Sequence, residues 1–343
     1  MTTTIKGKDG IVLVEDLPDG RRSLTVTPHD SETFVLGSTW ETSYPIALIQ
    51  LIVETSGTAY LVDSLRRDED PDYVRKYLAN DLLAYFKAED FAGKQILDFG
   101  CGSGSSSVIL AQMFPQTQIT GVELFPSLLA IARERVAYYK LSNVEFYESP
   151  SGSELPADIG RFDFVIMSAV FEHLLPPERH AVIPKLWRAV RPGGYFFLNQ
   201  TPNRHFPVEL HTTMLPVINY LPDGLALVAA RRFSKRIKKD ETWEQLLRKG
   251  VRGATDREIM GLLPRDSGIP VMLEPCNNGM QDRIDLYYSN TDPNRLKMLK
   301  TITRVVIKGL YAITGLAFVP DLSLAFHKQL QDGPETAIAS DQL

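Results

Sequence analysis

Residues 95–123 restrict the folds open to this chain more than any other stretch. They begin with a short apolar run, Gln95-Ile-Leu-Asp98, and pass through Phe99-Gly-Cys-Gly-Ser-Gly104. A helical segment follows, and the stretch closes on a second apolar run, Gln118-Ile-Thr-Gly-Val-Glu123. A glycine-rich loop between a strand and a helix lets backbone approach a ligand without side-chain obstruction. That context belongs to nucleotide-type binding at the carboxyl edge of a parallel sheet. Further apolar runs at 143–147, 162–167 and 195–198 alternate with helical stretches, as βαβ units require. Arg191-Pro-Gly-Gly194 reads as a tight turn into the fifth run. Two later runs, 269–273 and 283–288, bring the count to seven. The expected class is α/β: a doubly wound, mostly parallel, Rossmann-like sheet.

Around this core, residues 1–40 read as a β-hairpin extension about Asp19-Gly20, and 41–93 as a helical cap. The cofactor-binding core spans 94–200. An insertion rich in proline, 201–265, follows it, then the last two strands within 266–290 and a helical tail over 291–343. The apolar stretch 305–326 is broken by Lys308, Gly309, Pro320 and Asp321, so it reads as a buried or interfacial helix and not a membrane span.

Composition narrows the function classes. A formal charge of −5 argues against nucleic acid as the partner. Two cysteines, Cys101 and Cys276, exclude a disulfide framework and a four-cysteine zinc site, and fit a reducing, cytoplasmic setting. The first ten residues lack the apolar core of a secretory signal.

The ligand of the glycine loop can be narrowed further. Dinucleotide loops need glycine or alanine at their third position; here that place falls on Ser105 or Ser107. Asp98, two residues before the first glycine, would repel a pyrophosphate and suits a cationic, phosphate-free ligand. Glu123 ends the next strand, where a carboxylate can accept ribose hydroxyls; a solvated strand end is the competing account.

These residues resemble the class I S-adenosylmethionine-dependent methyltransferases. LDFGCGSG is similar to that family's first motif and ITGVELF to its second. RFDFVIMSAVFEHL and RPGGYFFL resemble the fourth motif and the strand after it. The resemblance implies S-adenosyl-L-methionine as cofactor, with Asp98, Gly100, Gly102 and Gly104 on its methionine and ribose side, Glu123 at the ribose and Leu124 on the adenine. Ser151, standing where many relatives carry an aspartate, and Ser168 complete the expected cofactor set.

Methyl transfer to a hydroxyl needs alignment and a base. His173, after the fourth strand, is one candidate; His211 and Glu209, in Val208-Glu-Leu-His211, are the others. On an extended segment Glu209 and His211 would share one face. Polar residues that only cap a helix or close the pocket are the plainer account of each. Some relatives hold a divalent metal through Glu-x-x-Glu-His at this place; here Ala169 replaces the first glutamate, so no metal is expected, although Glu172, His173 and a later histidine could still build a site. The basic run Arg231-Arg-Phe-Ser-Lys-Arg-Ile-Lys-Lys239 is first a solvated helix face and second a contact for phosphate, a diphosphate-linked sugar lipid or an anionic membrane. The expected function is O-methylation of a hydroxyl on a sugar, glycolipid or other small molecule. N- or C-methylation of a small molecule, such as a quinone-type ring, and a non-catalytic binding protein are the rival readings. Oligomeric state is left open.

Overall fold

The computed structural model describes residues 2–30, 35–292 and 297–330. The chain divides into two compact units, residues 1–151 and 152–343.

The first unit begins with four antiparallel strands in sequential order: β1 (Thr2–Lys6), β2 (Gly10–Asp16), β3 (Arg22–Pro28) and β4 (Thr39–Thr42). The expected hairpin is thus the central pair of a wider sheet. Val12, Val14, Leu24 and Val26 alternate along β2 and β3 and pack against Leu48 and Ile52 of α1 (Ile46–Ser56) and Leu61 of α2 (Leu61–Glu69). A further helix, α3 (Lys76–Leu83), precedes the α/β part. There β5 (Gln95–Phe99), α4 (Ser105–Met113), β6 (Gln118–Glu123), α5 (Pro126–Tyr139) and β7 (Val144–Glu148) alternate as the sequence requires. Both β5 and β7 pair with β6 in parallel.

The second unit opens with β8 (Phe162–Ser168), α6 (Pro176–Ala189) and β9 (Val190–Pro202), the two strands again parallel. Arg191-Pro-Gly-Gly194 is an irregularity in that pairing and not a free turn: Phe162 pairs with Val190, and Phe164 already with Tyr195. The insertion holds α7 (Asp223–Phe233), α8 (Trp243–Arg248) and α9 (Asp256–Leu262), and β10 (Ile269–Met272) follows.

The end of the chain departs from expectation. Residues 283–288 form a helix, α10 (Arg283–Ser289), because the Asp282 carboxylate accepts from the Asp285 amide and caps its first turn. The last strand lies instead within the segment read as a helical tail. After α11 (Lys297–Thr314), β11 (Asp321–Gln329) enters antiparallel between β9 and β10, burying Leu322, Leu324 and Phe326. The parts of the expected tail at 293–296 and 331–343 lie outside the described residues. The expected seven strands are therefore present, three in the first unit and four in the second, with one reassigned. No helix among the described residues is long and apolar enough to cross a membrane.

Candidate functional site

In the first unit the glycine loop has the shape the sequence demands. Gly100, Gly102 and Gly104 take φ of 73°, 56° and 84°, which side chains disfavour. At Gly104 a Cβ would also fall 2.6 Å from the Ala132 methyl, so the loop lies directly on α5. Asp98 is buried, and burial raises its carboxyl above the ordinary range. Ser106 and Ser107 donate hydroxyl hydrogen bonds to its Oδ2 at 2.7 and 2.6 Å. Ser107, one of the two serines at the third position of the dinucleotide pattern, thus helps hold the acid in place.

Glu123 is organised by backbone. Gly102 N–H donates to its Oε2 at 2.9 Å, while Leu124 and Phe125 N–H donate to Oε1. Oε1 already accepts two bonds, so Oε2 is the oxygen with a lone pair left for a ligand hydroxyl. Leu124 and Phe125 stand exposed beside it, apolar surfaces of the kind a flat ring covers. Ser151 is half-buried, and its carbonyl accepts from Ser149 Oγ. A tight glycine cradle, a buried acid and a preset carboxylate fit a cationic nucleoside without phosphate.

Behind the loop, the wholly buried Arg135 donates from one nitrogen to Ser103 O and Oγ, at 2.7 and 2.5 Å, and from the other to Ser64 O and Oγ, at 2.7 and 2.8 Å. Arg135 Nε lies 3.5 Å from the Asp68 carboxylate. Nothing in the sequence pattern pointed to this pair.

In the second unit the carboxyl ends of β8 and β9 carry a set of polar groups. Ser168 and Asn199 face each other in register. Ser168 Oγ, both side-chain polar atoms of Asn199 and Glu172 Oε1 are buried without hydrogen-bond partners. Buried polar atoms are normally satisfied, so these four atoms have bonding capacity left for a water or a ligand. Ala169 and Gln200, one at each strand end, hold φ of 53° and 58°, a strain that tends to collect at functional sites. Of these residues, the sequence pointed to Ser168 as a cofactor contact and to Glu172 as a possible metal ligand. Asn199 gains its place from standing opposite Ser168 across two strands, a relation that local sequence pattern does not carry.

His173 ends the single turn Phe171–His173, and its Nδ1 lies 2.8 Å from Arg248 O. The turn is held by buried Arg179, which donates to Leu174 O and Gly253 O and stacks 4.4 Å over Phe171. Glu172 is wholly buried; Thr201 Oγ1 donates to its Oε2 at 3.2 Å, and Oε1 lies 3.7 Å from His173 Nε2. Burial pushes the Glu172 carboxyl up to about 7, and holds both His173 and His211 below the usual imidazole value.

Residues 209–213 form a turn and not the extended segment expected. Glu209 folds back into it: its two oxygens accept from the amides of His211, Thr212 and Thr213 and from Thr213 Oγ1. Its carboxylate thus builds the turn that presents His211. The His211 ring comes within 5.5 Å of the His173 ring, centroid to centroid. Gly250, at φ 95°, lies against it; a Cβ there would be 2.6 Å from His211 Cδ2. Glu172, His173 and His211 each offer a donor atom within 4.8 Å of the others, a span that could hold a divalent ion. The geometry thus supplies, through His211, a third donor that Ala169 cannot.

Comparison with known proteins agrees with this chemistry. A family model described as a methyltransferase domain matches residues 96–194. The trans-aconitate 2-methyltransferase of Variovorax paradoxus is 31% identical over 193 residues, covering 48% of this chain and 70% of that protein. The enzyme of the same name from Azoarcus sp. is 31% identical over 133 residues, 39% of this chain and 48% of its own length. The ubiquinone biosynthesis O-methyltransferase of Coxiella burnetii is 34% identical over 134 residues, 38% and 54% respectively. The chain spans between 48% and 70% of these relatives.

Proposed function

Since this chain belongs to the S-adenosylmethionine-dependent methyltransferases, we propose that it methylates a hydroxyl oxygen of a small-molecule or glycan acceptor, such as a sugar or glycolipid. When bound, S-adenosylmethionine supplies a methyl group on a sulfonium, already a good leaving group. The residues that would hold it are Asp98, the glycines at 100, 102 and 104, Glu123 and Leu124, with Ser151 and Ser168 as further contacts.

The protein then has two tasks: to orient the acceptor and to take its proton. The observation that carries the reading is the pairing of His173 with Arg248. A carbonyl can only accept, so Nδ1 carries the hydrogen and Nε2 is left with a free lone pair. Burial keeps the ring neutral at physiological pH. His173 Nε2 is thus the base that removes the acceptor hydroxyl's proton, and Glu172 beside it stabilises the imidazolium that results. His211 is the second base candidate and binds the acceptor; Glu209 positions it. Asn199 offers an unsatisfied donor and acceptor suited to a hydroxyl-bearing molecule. The Coxiella relative's name, an O-methyltransferase, points to the same acceptor atom.

The test is incubation with methyl-labelled cofactor and a fractionated cell extract, followed by identification of the labelled bond. Label on oxygen is expected, and its loss in His173→Ala at unchanged cofactor affinity. Label on nitrogen or ring carbon overturns the reading.

A further inference from the structure

Helix α7 carries an exposed apolar face as well as a packed one. It buries its small residues, Ala226 and Ala230, against Ile218, Leu246 and Val251. Of its large apolar residues only Leu227 packs on that cluster, while Leu225, Val228 and Phe233 are 59%, 63% and 69% exposed. An amphipathic helix serving only its own core would show the opposite pattern. Met214 and Val217, just before it, are also exposed. Six cations and no acid follow within 231–239, on a chain whose formal charge is −5. Arg232, Lys235 and Lys239 stand in solvent there.

We propose that this apolar and cationic surface docks the protein on an anionic lipid bilayer, with the α7 side chains entering the headgroup boundary and the cations on the lipid phosphates. Exposed aliphatic and aromatic side chains flanked by Lys and Arg are the composition of an interfacial helix. Charge selects this occupant: a second copy related by a twofold axis would set the same cations against themselves. The surface is also bonded to the candidate site. Ser234 Oγ donates to Thr213 O at 2.8 Å, and Arg236 Nη1 to His211 O at 3.5 Å. Docking would therefore hold the His211 turn at the interface, where the acceptor hydroxyl would be presented on a lipid-anchored molecule. Only that last clause rests on the proposed function. Helix α11 repeats the signature in the same unit, with Met298, Ile302, Val305 and Ile313 exposed on a helix that has no acid.

The test is flotation of the full chain with vesicles of phosphatidylcholine alone or mixed with phosphatidylglycerol, at low and high salt. Wild type is expected to float with anionic vesicles only, and less at high salt. Arg232→Gln/Lys235→Gln/Lys239→Gln should weaken binding by on the order of a hundredfold, about fivefold per charge. Leu225→Ser/Val228→Ser/Phe233→Ser should lose the salt-resistant fraction. Thermal unfolding of the full chain reports folding of each variant, and vesicle binding needs no turnover, so failure of the proposed function leaves this result standing. The proposal is overturned if wild type stays in solution with anionic vesicles at low salt, if it floats equally with neutral ones, or if a folded charge variant floats unchanged. It is equally overturned if sedimentation velocity shows a self-association that the apolar variant abolishes, without vesicle binding.

Discussion

His173 Nδ1 lies 2.8 Å from the carbonyl oxygen of Arg248, and this one bond decides which ring nitrogen can act. Burial, the largest influence, holds the ring below its ordinary 6.5. The working form is the neutral one, whose fraction grows as pH rises through that lowered value. The acid limb of kcat/KM, which reports the free enzyme, should therefore have its midpoint below pH 6.5. His173→Ala should lower kcat by about 10²- to 10⁴-fold, the usual worth of a general base. Full-range pH–rate profiles of both proteins, with cofactor affinity measured beside them, check this.

Glu172 makes a prediction about stability. Its carboxyl titrates near 4.5 when free and at about 7 in its buried place, where Oε1 accepts no hydrogen bond. A folded-state value above the unfolded one favours folding fully below pH 4.5, and that contribution is lost as pH rises through about 7. The loss is at most about 3 kcal/mol. Glu172→Gln removes the ionisation, so by calorimetry it should melt several degrees above wild type at alkaline pH and lose that advantage in acid. Asp321, raised by burial to about 6, remains in the variant and keeps a smaller slope of the same sign. Lost methyl transfer in the more stable variant would mark Glu172 as kept for function at a cost in stability.

The cofactor half was legible in the sequence because local chemistry writes it. Glycines at positive φ and a carboxylate at a strand end both sit within residues 98–123. The tail was not. Residues 283–288 show a strand-like mix of apolar and polar side chains, yet Asp282 caps a helix there. Residues 321–329 become a strand only because β9 and β10 offer edges to pair with, a tertiary fact absent from local pattern. The same limit hid Arg248, Arg179 and Gly250, which act on His173 and His211 across long stretches of chain.

Arg135 ties the glycine loop to α2, and its removal should separate stability from binding. Arg135→Met leaves Asp68 buried without its cation and should cost about 3–5 kcal/mol. Arg135→Lys keeps the charge but cannot hold Ser103 and Ser64 together through a planar fork. It should lose less stability, while S-adenosylmethionine affinity falls about tenfold. Thermal unfolding and titration calorimetry on the two variants separate these effects; equal affinity in Arg135→Lys would leave the arginine a purely structural part.

Glu209 and His211 divide their work in a way a pH profile can read. The Glu209 carboxylate is filled by three amides and a hydroxyl, so its role is to shape the turn. In Glu209→Gln the amide nitrogen cannot accept from Thr213, and the turn loosens while His211 stays in the chain. The expected result is a fall in kcat of about tenfold, as misplacement near a reacting group costs, with the acid limb at its wild-type midpoint. His211→Gln should instead weaken acceptor binding, raising KM, because its ring stands beside His173 at 5.5 Å. If the acid limb vanishes in Glu209→Gln, the carboxylate itself takes the proton and the turn is the secondary role.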